Sequence, residues 1–101
     1  MNAEKKKKLE AAGWKATTVQ DFLNLSAADM EFIETKLALG RRLRDLRARK
    51  RLTQAALAAT LKTSQSRLAR MEKGDPSVSM DLLIMALYRM GETRRELARA
   101  I

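Results

Sequence analysis

The chain has 101 residues, 46% of them hydrophobic, with one Pro and four Gly, which suits one small helical core and cannot furnish two. It contains neither cysteine nor histidine, so disulfides, thiolate nucleophiles, histidine bases and ordinary zinc sites are excluded. The net charge of +9 calls for a polyanionic partner. The remaining Asp and Glu sit mostly beside bases, so neither catalysis, nor a cofactor, nor a metal is expected. No apolar run approaches the ~18 residues of a membrane span, and the basic N-terminus lacks a following apolar signal core. The expectation is a cytoplasmic protein without membrane contact.

Residues 1–12, with Lys5 to Lys8, have neither helix caps nor a sustained apolar stripe and read as a basic arm. Gly13-Trp14 brings in the single tryptophan, and Thr18-x-x-Asp21 resembles a capping box ahead of Val19, Phe22 and Leu23, which predicts a short helix at about 19–25. Ser26-x-x-Asp29 repeats the arrangement and opens a longer helix to about Arg49. Along it Phe32, Leu39, Leu43 and Leu46 form one apolar band, with Met30, Ile33 and Leu37 nearly opposite. The first band should enter the core. The second needs another cover, either the 19–25 helix or a subunit or partner protein, which makes Trp14, Phe22, Met30, Ile33 and Leu37 a candidate partner surface. Gly40 stands near where this second band stops.

Residues 41–51 hold Arg41, Arg42, Arg44, Arg47, Arg49, Lys50 and Arg51 against the single acid Asp45. Directly after this run, Thr53 and Ser64 each precede a helical apolar pattern and predict two N-caps. Leu57, Ala58 and Leu61 share a face in the first helix, and Leu68 and Met71 in the second. Small Ala58 suits a close helix crossing. Two short helices joined by a tight turn form a candidate helix-turn-helix. The second helix directs Gln65, Ser66, Arg67 and Arg70 away from the core, and Gln and Arg are suited to bidentate bonds with adenine and guanine edges. Beyond Gly74, Asp75-Pro76-Ser77 breaks the helix, Ser79 caps another at about 80–90, Gly91 ends it, and Thr93-x-x-Glu96 is a capping box for a last helix. Leu82 to Leu87 are apolar almost all round, which predicts burial on more than one side, where a core would account for one side and a dimer contact for the other.

At Leu52-Thr53-Gln54, Leu57-Ala58, Ser64-Gln65, Leu68 and Glu72-Lys73-Gly74 the segment resembles the phage repressor/Cro (Xre) helix-turn-helix family. The resemblance implies an all-α fold, a five-helix lambda-repressor-like domain with an N-terminal helical extension: residues 1–28 as arm and short helix, 29–101 as the DNA-binding domain. Lys62 departs from it, standing where the family usually has Gly; at positive φ it costs roughly 1 kcal/mol relative to Gly. The family also pairs an Arg late in the preceding helix with the Glu ending the recognition helix, which maps onto Arg47 and Glu72.

The expected function is a sequence-specific repressor of transcription on double-stranded DNA. Gln65, Ser66 and Arg70 would read bases, and Arg42, Arg44, Thr53, Gln54, Lys62, Arg67 and Lys73 would contact phosphates. One such module binds weakly, so a homodimer on a palindromic operator is expected. The chain as a whole, through Leu9 to Trp14, Thr18 to Leu23 and Asp75 to Ser79, also looks like HigA-type antitoxins encoded beside RelE-like toxins. That likeness implies the alternative: an antitoxin neutralising a small protein toxin through residues 9–37 and repressing its own operon.

Overall fold

A computed structural model describes residues 24–101, in which five α-helices follow one another without a strand: α1 (Ala27–Arg49), α2 (Gln54–Thr60), α3 (Gln65–Glu72), α4 (Met80–Arg89) and α5 (Arg94–Ala100). The fold is therefore all-α. The expected basic arm, Trp14 and Phe22 lie outside the described residues, as does most of the 19–25 helix; Asn24 and Leu25 are not helical. The chain divides into two units between Phe32 and Ile33. Of the first unit, residues 24–32 are described, and Ser26 opens α1 there. Its Oγ accepts from the Asp29 N–H at 3.1 Å while its own N–H donates to Asp29 Oδ2 at 3.1 Å. These two bonds hold the Asp29 carboxyl below its usual range.

In the second unit, Ile33–Ile101, every later helix begins at a hydroxyl. Thr53 accepts from Ala56 N, Ser64 from Arg67 N, Ser79 from Leu82 N and Thr93 from Glu96 N, each satisfying one of the amides that a helix start leaves unpaired. Four helix ends share one motif. The chain leaves α1 at Arg51, α2 at Lys62, α3 at Gly74 and α4 at Gly91, all four with positive φ. After each, the next amide reaches back five residues in the Schellman pattern: Leu52 N to Arg47 O at 3.1 Å, Thr63 N to Ala58 O at 2.9 Å, Asp75 N to Arg70 O at 3.0 Å, and Glu92 N to Leu87 O at 3.0 Å. Two of the four positions are thus filled by a basic side chain where glycine is the unstrained choice.

These boundaries turn the apolar faces inward. Leu39 and Leu43 of α1, Leu57 and Ala58 of α2, Leu68 and Met71 of α3, Leu83 and Leu87 of α4 and Leu97 of α5 form one buried cluster, which Leu61, Val78, Ala86 and Met90 complete. Leu46 packs against it, but Phe32, of the same predicted band, is exposed. Within the chain the core covers one side of helix α4: Leu82 and Ile84 only border the core, and Met85, about 200° from Leu83 around the helix, is 48% exposed. No helix among the described residues is long and apolar enough to cross a membrane.

Candidate nucleic-acid interface

The face of interest is built on α3, whose eight residues split cleanly by their helical angle. Leu68, Met71 and Glu72 are buried, whereas Gln65, Ser66, Arg67, Arg70 and the following Lys73 are exposed. Ser64 fixes the start of the helix and Gly74 its end. The turn that brings the chain from α2 into α3 passes through Lys62 at φ 57, with its ammonium exposed beside the same segment.

Two contacts fix α3 against α1. The first is a network around Glu72, whose side chain is 4% exposed. Arg47 donates through Nε to Glu72 Oε2 at 2.6 Å and through Nη2 to Oε1 at 3.0 Å, and its Nη1 reaches Leu52 O at 3.0 Å. The Gln54 amide nitrogen adds a third bond to the carboxylate, at 3.0 Å on Oε1. A buried carboxylate with one guanidinium held fork to fork and an amide is well satisfied. The carboxylate raises the Arg47 pKa further, so the cation is permanent. One node therefore joins α1, the turn before α2, α2 and α3.

The second contact is between backbones. A Cβ placed on Gly40 would lie 2.7 Å from Met71 O, 2.8 Å from Glu72 O and 2.9 Å from Gly74 N, and one placed on Gly74 would lie 2.9 Å from Leu37 Cα. Helix α1 and the end of α3 thus approach more closely than any residue with a side chain permits. Lys36, buried, donates from Nζ to Pro76 O at 3.3 Å and ties the next loop to the same stretch of α1.

Of the residues proposed for phosphates, Arg44, Gln54 and Lys73 line one open cleft of about 270 Å³, together with Arg47, Ala69 and Glu72. Thr53 Oγ1 is occupied as a cap, accepting from Ala56 N at 3.0 Å. Arg42 lies elsewhere. It sits about 200° around α1 from Arg44 and faces α5, where its Nη2 donates to Glu92 Oε1 at 2.9 Å and its Nε to Glu92 Oε2 at 2.5 Å. Glu92 is buried and raises the Arg42 pKa. Among the residues proposed for a partner surface, Ile33 is 40% exposed and Met30 and Leu37 are half-buried.

Sequence reasoning missed three participants. Gly40 carried a signal, a glycine inside a helical stripe, but its partner lies more than thirty residues on. Glu92 carried none, and Ala69 mattered only once α3 was placed beside Arg44. No group of three or more metal-ligating side chains occurs among the described residues. A family model described as a helix-turn-helix domain matches residues 38–100. No curated protein and no solved structure matches the chain.

Proposed function

The chain belongs to the helix-turn-helix domain family, and from that premise we propose that it is a sequence-specific transcriptional regulator, a repressor that binds a palindromic operator as a dimer. The observation that carries this reading is the division of α3: Gln65, Ser66 and Arg70 are exposed on a helix whose other face is locked by Leu68, Met71 and the Glu72 network. Exposed Gln and Arg on a short rigid helix have the chemistry to read adenine and guanine edges in a major groove. Arg44, Thr53, Gln54, Lys62, Arg67 and Lys73 would position the domain on phosphates. Arg42, held by Glu92, is left to the junction of α1 with α5. Selection of bound sequences from a random duplex pool tests the reading. A recovered palindrome supports it, and a pool without enrichment overturns it. Affinity for the selected site should also fall ~10³–10⁵-fold between 50 and 200 mM salt if about 6–10 phosphates are contacted.

A second reading, an antitoxin that also neutralises a toxin, is favoured by the 40% exposure of Ile33, a large apolar side chain at the edge of the domain. Co-expression with a toxin-like frame next to its gene tests it. Growth rescue that survives loss of DNA binding would support it, and absence of rescue would remove it.

A further inference from the structure

On the flank of α1 away from α3, the chain forms a cleft that the DNA reading does not use. It measures about 410 Å³, and its walls are Arg41, Arg42 and Asp45 of α1 with Glu96 and Arg99 of α5. That volume falls within the range of small-ligand sites, and the small side chains of Ala38 and Ala100 leave it open. The charges are arranged unequally. Arg42 is already neutralised by Glu92, whereas Arg41 and Arg99 are exposed and neither has a hydrogen-bond or salt-bridge partner among the described residues. Two guanidiniums without a hydrogen bond or salt bridge, one from each helix, therefore line the same cleft. A guanidinium fork fits the oxygens of a phosphate or carboxylate.

The acids narrow the class. Asp45 and Glu96 offer only acceptor oxygens, and Glu96 is held in its charged form by the Thr93 hydroxyl and N–H and by Arg42 and Arg99 nearby. A bare polyanion would meet repulsion there, but a ligand carrying hydroxyl donors beside its anionic group would satisfy both kinds of wall. We infer that the cleft between α1 and α5 is a binding site for a small hydroxylated phosphate ester. The cleft shares no lining residue with the one formed by Arg44, Gln54 and Lys73, so the site is separate from the face assigned to DNA and does not rest on that assignment.

The test is a titration of the full chain, without DNA and at low salt, followed by amide chemical shifts. The probes are ribose 5-phosphate, inorganic phosphate and ribose. Ribose 5-phosphate should give saturable shifts confined to the 38–45 and 96–100 segments, with inorganic phosphate weaker and ribose silent. The Arg41→Gln/Arg99→Gln double variant should weaken binding at least about tenfold, and both side chains are exposed, so an unchanged urea midpoint shows that the fold is intact. Asp45→Asn should reduce the preference for the ester over inorganic phosphate. A Lys62→Gln/Arg67→Gln control, altered only on the α3 side, should bind as the parent does. The site is refuted by an absence of saturable shifts, by binding that follows Lys62 and Arg67 instead, or by equal affinity for the ester and inorganic phosphate.

Discussion

Replacing Gly40 by Ala sets two effects of opposite sign against each other. In the interior of a helix, alanine is favoured over glycine by about 1 kcal/mol, so an unhindered Gly40→Ala would stabilise the protein. The new methyl would instead lie 2.7 Å, 2.8 Å and 2.9 Å from three backbone atoms at the end of α3. Reaching an ordinary contact of 3.4 Å from 2.7 Å requires the two backbones to part by about 0.7 Å. No rotamer change can supply that movement. A gap of this size along the seam forfeits roughly a quarter to a half of the dispersion energy across it, and overpacking of a closed core costs about 1–3 kcal/mol. Because only backbone can yield, the upper half of that range applies. Subtracting the helix gain leaves a net loss of about 1–2 kcal/mol, or roughly 4–16 °C in Tm for a domain of this size. Urea and thermal unfolding followed by far-UV circular dichroism measure it. A variant as stable as the parent, or more so, would refute the close approach of α1 to α3.

The Glu72 network gives a second test: Glu72→Gln and Arg47→Met should each cost about 3 kcal/mol, since removing one partner strands the other, and the double variant should lose much less than the sum. Additive losses in urea would show that the two do not act as a pair. Lys62→Gly should raise stability by up to about 1 kcal/mol by relieving a side chain at positive φ, while on the proposed reading it makes the salt slope of operator binding shallower by about one. A less stable glycine variant would contradict the first half. The pH dependence follows from Glu96, whose carboxylate accepts from the Thr93 N–H at 3.1 Å and hydroxyl at 2.9 Å and so titrates below the usual 4.5. Its folded pKa is the depressed one, so its contribution is complete above the unfolded value and is lost as the pH falls through the folded value. Urea midpoints measured from pH 7 downward should therefore drop below about pH 4.5, less steeply in Glu96→Gln; identical slopes would sink this account.

What was legible in the sequence was local chemistry. Hydroxyls at Ser26, Thr53, Ser64, Ser79 and Thr93 mark helix starts because a cap is satisfied within three residues, and Gly74 and Gly91 mark ends because positive φ favours glycine. Arg51 performs the same turn as Gly91, yet an arginine inside a basic run gives no sign of its backbone angle. Long-range partners were the illegible part. Arg42 and Arg44 look alike in sequence, and only the placement of Glu92, fifty residues away, sends one to α5 and leaves the other beside α3. Arg47 and Glu72 were legible through the resemblance to a family, since spacing alone could not bring together residues 25 apart. Met85 shows the same limit: an apolar run records what could be buried, and which neighbour buries each side depends on the whole fold.

The division of α3 into a locked side and an outward side has a consequence for how the protein can change over time. The residues that hold the helix, Leu68, Met71, Glu72 and the glycines at 40 and 74, touch none of the outward positions' chemistry. Substitutions at exposed sites without partners usually alter stability by no more than about 0.5 kcal/mol. Changes at Gln65, Ser66 and Arg70 should thus leave the stability of the scaffold nearly unaltered. On the proposed reading, a gene of this kind, once duplicated, can acquire a new operator by a few changes on one short helix, without passing through an unstable intermediate.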